Sequence, residues 1–142
     1  MGTLDGMARG DEQTIERVLE YKTWAVVGLT ANPRRPAYGV ASFLQRNGKR
    51  IVPVNPKAEV VHGEQGYARL ADIPFPVDVV DVFRRSEEAG AHVDEAVAAG
   101  AKAVWLQLDV IDEAAADRAE SAGLDVIMDH CPAIEWPAHG PR

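Results

Sequence analysis

The feature that most limits how this chain can fold is a regular exchange of short apolar runs with helically spaced segments. Thr23–Gly28 (TWAVVG) is a brief apolar run with two valines, closed by a glycine, and reads as a buried strand. From Ala37 to Asn47 the apolar positions Val40, Phe43 and Leu44 recur at helical spacing, Pro36 suits a first turn, and Gly48 suits the position just past the helix. Arg50–Val54 (RIVPV) reads as the next strand, with Pro53 implying an edge or a site that needs no amide. Val77–Phe83, Lys102–Leu108 and Leu124–Met128 are further strands, and residues 60–62 leave room for one short strand more. Helices are expected over Asp11–Tyr21 with Asp11 as cap, over Ser86–Ala99 with Ser86 as cap, and over Asp112–Ala122.

This order predicts an α/β fold: a single Rossmann-like domain whose mostly parallel sheet of five or six strands is covered by helices on both faces. The boundaries expected are a flexible N-terminus over residues 1–10, the domain over 11–135 and a surface tail over 136–142. The chain's 142 residues suffice to bury about two-thirds of the unfolded surface in one core. With 46% hydrophobic and 26% charged residues, the composition is that of a globular protein. No apolar run approaches the roughly 18 residues needed to span a bilayer, and residues 1–12 lack a signal-like apolar stretch. A single cysteine, Cys131, fits a reducing compartment, so a cytoplasmic location is expected, with no membrane partner. A net charge of −7 argues against nucleic acid.

That charge is unevenly spread. Thr23–Ala58 contains no Asp or Glu but holds six basic side chains: Arg34, Arg35, Arg46, Lys49, Arg50 and Lys57. Carboxylates beside a bound phosphate would repel it, so an anionic ligand explains the bias. The loop after the first strand, GLTANPRRPAYG over residues 28–39, leads into a helix N-terminus, where free N–H groups favour phosphate. Thr30 adds a hydroxyl, and Arg34 or Arg35 a charge-assisted bond. The loop does not match G-x-G-x-x-G, and the second strand ends Val54-Asn55-Pro56-Lys57 without the acid that binds the ribose of NAD. Both departures favour a small-molecule nucleotide with more phosphate than NAD.

Five segments, VVGLT…NPRRPAYGVASFLQ, IVPVNPK, DIPFPVDVVDVFR, GAKAVWLQL and AGLDVIMDHCP, occur in this order across residues 15–135. In them the chain resembles the small bacterial and archaeal CoA-binding proteins, relatives of the N-terminal CoA-binding domain of succinyl-CoA synthetase alpha subunits. The resemblance implies coenzyme A, or an acyl-CoA, lying across the strand ends. Gly28, Leu29 and Thr30 would approach the phosphates beside Arg34 or Arg35, with Pro33, Tyr38 and Gly39 in the same loop-and-helix segment. Asn55, Pro56 and Lys57 would sit near the adenosine and its 3′-phosphate, and Phe83 and Arg84 would close the other side. It also implies a binding half without the synthetase's catalytic domain. Asp109 and His130 depart from the family's pattern, which has a small and a basic residue there.

Catalytic signals are weak by comparison. His130 and Cys131 are adjacent, which seldom lets two side chains act on one another, and Cys131 reads as a packed thiol or one able to pair with a CoA thiol. His130, Cys131, Glu135 and His139 fit no zinc spacing, so no metal site is expected. Asp78 and Asp81 point to opposite strand faces, with Asp81 near enough to the strand's end to touch a ligand. Trp24, Trp105 and Trp136 read as core or interface residues, and Gln107 reads equally as a cleft or a packing residue. Two alternatives stay open on the residues: an NADP-dependent oxidoreductase, and a structural or regulatory homo-oligomer or partner-binding protein.

Overall fold

The computed structural model describes residues 9–141. Strands β1 (Thr23–Val27), β2 (Arg50–Val54), β3 (Val79–Val82), β4 (Ala103–Leu106) and β5 (Asp125–Met128) form one parallel sheet in the order β2-β1-β3-β4-β5. Five helices connect or flank them: α1 (Glu12–Leu19), α2 (Pro36–Arg46), α3 (Ser86–Ala98), α4 (Glu113–Ser121) and α5 (Pro132–His139). Pro53 lies in the edge strand β2, where its missing N–H interrupts no ladder to a further strand.

Alternate residues of each strand feed two cores. One face, with Val80, Val82, Val104 and Leu106, packs on α3 and α4 through Ala89, Val93, Ala96, Ala115, Ala116 and Ala119. These small side chains let the two helices lie close to the sheet and to each other. The other face, with Trp24, Val26, Val79, Trp105 and Ile127, packs on α1 and α2 through Ile15, Val18, Leu19, Ala41 and Leu44, with Trp136 of α5 beside them. Both faces of every central strand are thereby buried, which is why those strands read as continuous apolar runs.

The sheet has five strands, because the segment at 60–62 forms only an isolated antiparallel bridge, Val61 to Glu64. His62 (φ 52°) and Gly63 (φ 78°) reverse the chain there before a strand can extend. Within the stretch expected as a surface tail, Trp136–His139 complete α5, which Pro132 opens in its first turn. Residues 1–8 lie outside the described residues, but Arg9 is held firmly. Its backbone pairs with Met128, and its guanidinium meets Glu113, Asp117 and Glu120 at 2.6–3.1 Å. Ser86 does not cap α3 but is its first residue, the cap being Arg85; the Ser86 hydroxyl serves the loop after β4 instead.

Asp81 corrects a further expectation. It lies in the middle of β3 between Val26 and Trp105, is fully buried, and does not line the strand-end cleft. Neither carboxyl oxygen has a partner among the described residues, and burial pushes the group well above its ordinary 3.8. Because the folded-state value is raised, ionisation opposes folding. Stability is full below the unfolded value and falls as pH rises toward the folded one. Asp81→Asn removes that dependence. In urea titrations its stability relative to the parent should therefore climb above about pH 4, by up to about 1.4 kcal/mol per pH unit, before levelling off. A pH-independent difference would mean that folding leaves the proton affinity of the Asp81 carboxyl unchanged.

Candidate functional site

The strand order reverses between β1 and β3: the chain leaves β1 toward α2 on one face and β3 toward α3 on the other. Such a switch opens a crevice outside the carboxyl ends of the strands. Gly28 sits at its root with φ +96°. Its N–H donates to the Val54 carbonyl at 2.8 Å, and a Cβ at this position would lie 2.5 Å from the Phe83 carbonyl oxygen. The ends of β1, β2 and β3 can meet here only around a residue without a side chain.

Beyond Gly28 the loop is largely self-satisfied. Leu29 is fully buried, its N–H reaches the Val26 carbonyl, and its carbonyl accepts from Asn55 Nδ2 at 3.0 Å. Asn55 Oδ1 accepts from the amides of Lys57 and Glu59, so the buried Asn55 side chain shapes two loops. Thr30 Oγ1 accepts from the Asn32 amide, and the Ala31 amide donates to Glu59 Oε1 at 3.2 Å. The amides of Thr30 and Ala37 make no such bond among the described residues. Ala37 is the second residue of α2, a helix with no side-chain cap and no acid in its first turn. Its positive end is therefore left for an anion.

A cleft of about 830 Å³ opens at this end of the sheet. Gly28 and the start of α2 (Arg35, Pro36, Ala37, Val40) form one wall. Phe83, Arg84, Arg85 and Glu88 form a second, and Gln107–Val110 with Cys131 close the floor. Glu88 pairs with both Arg84 and Arg85, and their hydrogen bonds, Arg85's foremost, hold its carboxyl below the ordinary range. The loop after β4 is pinned at both ends. Asp109, at φ 66°, donates its N–H to Asp129 Oδ1 at 2.7 Å, and Ser86 Oγ bridges the Asp109 carbonyl and the Ile111 amide.

Of the residues expected at the site, Gly28, Arg35, Phe83 and Arg84 meet on this cleft. Thr30, Pro33 and Arg34 lie on the loop beside it, and Pro56 and Lys57 are exposed on the loop after β2, outside the lining. Tyr38 stacks on His62 with ring centroids 4.3 Å apart, and Gly39 is exposed on α2. The acid-free stretch also splits in two. Arg46, Lys49 and Arg50 lie at the opposite end of the sheet, where Lys49 donates to the Leu19 carbonyl closing α1 and Arg50 covers the Phe75 ring at 3.8 Å. Arg46 donates to Ser42 Oγ, so all three side chains are engaged locally, away from the cleft. Ala37, Val40, Arg85, Glu88, Leu108 and Val110 were not singled out from the sequence. Applied equally after Phe83 and Leu106, the strand-end rule used at Gly28 points to Arg85, Glu88, Leu108 and Val110, while Ala37 and Val40 belong to the helix that the Gly28 loop enters.

Against known proteins, the family described as CoA binding domain matches residues 22–137. The chain belongs to that family. Among its relatives, the uncharacterized protein YneT of Bacillus subtilis (strain 168) is 34% identical over 126 residues, 88% of this chain and 93% of YneT. A hypothetical protein from Pyrococcus horikoshii OT3 superposes with a TM-score of 0.88 at 32% identity, covering 98% of this chain and 99% of that one. The fold also recurs in the dinucleotide-forming acetyl-coenzyme A synthetase 1 of Ca. Korarchaeum cryptofilum, at a TM-score of 0.68 and 25% identity. That match takes in 79% of this chain and 27% of the synthetase.

The two glycines of the first βα unit should respond oppositely to alanine. Gly28→Ala meets both the left-handed backbone and the Phe83 carbonyl, and should cost about 1–3 kcal/mol or more. At Gly39, where nothing lies within 4 Å of an added Cβ, alanine should stabilise α2 by about 0.5–1 kcal/mol. Thermal melts of the two variants check this; a Gly28→Ala protein as stable as the parent would remove the steric account of the switch point.

Proposed function

We propose that this chain binds coenzyme A, free or acylated, in the cleft at the strand carboxyl ends. The observation that carries the reading is the first turn of α2. It is uncapped, free of acid, set at the switch in strand order, and lies beside Arg35 and the Ala37 amide. These residues suit a diphosphate, because the helix end and a guanidinium favour the same negative charge. Arg34 and Lys57, both exposed at this end and without an ion pair among the described residues, suit the further phosphate on the ribose. Arg84 faces them across the cleft from the end of β3. Membership of a family described as a CoA binding domain agrees with this. So does the likeness to part of an acetyl-coenzyme A synthetase.

The reading needs no covalent step by this chain; the module holds or presents its ligand. No helix among the described residues is long and apolar enough to cross a membrane.

Calorimetry with CoA, NADP and NAD side by side provides the test. CoA is expected to bind well ahead of the other two. Arg35→Ala should weaken it about tenfold or more, as loss of a charge-assisted hydrogen bond predicts, whereas Arg50→Ala at the far end of the sheet should leave it unchanged. Preference for NADP, or no heat with any of the three, would overturn the assignment.

A further inference from the structure

The first carboxylate after the acid-free stretch Thr23–Ala58 comes back onto the loop inside that stretch. Glu59 Oε1 accepts from the Ala31 amide at 3.2 Å, and no other acidic side chain bonds to the loop over residues 28–35 among the described residues. Ala31 lies three residues before Arg34, and Glu59 two residues after Lys57, so the loops carrying those two cations meet at this carboxylate. No basic side chain pairs with it among the described residues. Nor is the bond needed to join the loops. Asn55, 3% exposed, already ties them: its Nδ2 donates to the Leu29 carbonyl at 3.0 Å, and its Oδ1 accepts from the Lys57 and Glu59 amides at 3.1 Å. The Glu59 backbone is thus fixed, and its half-buried carboxylate can leave the Ala31 amide by side-chain rotation alone. A single hydrogen bond of this kind adds little to stability, whereas the charge it brings repels any phosphate drawn to the same place.

We infer that Glu59 is a built-in competitor of the ligand's ribose phosphate: its carboxylate holds the Ala31 amide until that phosphate takes its place. This rests on the preceding assignment of Arg34 and Lys57 to the ribose phosphate, and adds a residue that opposes them. A phosphate monoester carries about −1.5 to −2 charge at pH 7 and three strong acceptor oxygens, so it can displace a carboxylate from an amide. An uncharged ribose hydroxyl cannot, and the contest arises only with a ligand that bears the phosphate. Glu59 therefore lowers the affinity for such a ligand without altering the fold. For a module that holds and presents its ligand, an anion poised to reclaim the loop also provides a route to release.

The test compares CoA with 3′-dephospho-CoA on the intact chain by calorimetry. The variants are Glu59→Gln, which keeps an oxygen for the Ala31 amide without the charge, and Glu59→Ala. Glu20→Gln, at the end of α1 where β1 begins, makes the same change in net charge far from the loop and serves as the control. Both Glu59 variants should bind CoA about five- to tenfold more tightly than the parent, with dephospho-CoA and the control moved by less than about twofold. Their melting temperatures should stay within about 2 °C of the parent, because Asn55 keeps the loops joined. CoA affinity unchanged or weaker in Glu59→Gln, an equal gain for dephospho-CoA, or the same gain in Glu20→Gln would overturn the role of Glu59 while leaving the coenzyme assignment standing. Binding of neither ligand by the parent or the variants would overturn both.

Discussion

β1 lies between β2 and β3 and pairs in parallel with each, so its five residues are enclosed by hydrogen bonds on both edges and by helices on both faces. Parallel pairing obliges the chain to cross over before every new strand, and the crossovers from β1 and β3 take opposite faces. The point of divergence is Gly28, where three strand ends approach too closely for a side chain. The cleft, the exposed start of α2 and the approach of Phe83 all follow from that one packing constraint.

Charge in the cleft is balanced, not simply positive. Arg84 and Arg85 share Glu88, whereas Arg35 on the opposite wall has no ion pair among the described residues. The N-termini of α2 and α3 thus differ: Glu87 and Glu88 already answer the positive end of α3, and nothing acidic lies in the first turn of α2. The unanswered positive helix end therefore lies on one wall only. The buried part of the lining, Gln107, Val110 and Cys131, carries no formal charge, while Asp109 beside it is exposed.

Much of this was legible beforehand. β2 occupies the residues expected, β1 lacks only its closing glycine, and the first turn of α2 and the stop at Gly48 sit where proline and glycine dictate. Local rules suffice there because a proline or a left-handed glycine acts on its own backbone. The count of basic side chains was less informative than it seemed. Lys49 and Arg50 fall in the same acid-free stretch as Arg34 and Arg35, yet α2 carries the chain the full height of the sheet before they appear. Asn55 is a similar case: a neutral hydrogen-bonding residue at a strand end suits a ligand, but its amide is committed to Leu29, Lys57 and Glu59.

The sequence by itself determined the α/β class, the parallel sheet and the place where the first crossover begins, because these depend on apolar period, glycine and proline within short windows. Only the tertiary structure decided the strand order, which charges face the cleft, and that the Asp81 carboxyl and Gln107 Oε1 are buried without partners among the described residues. Those properties arise from pairing between segments far apart in the chain. Alternation along one strand names the face a residue takes but not what lies across from it.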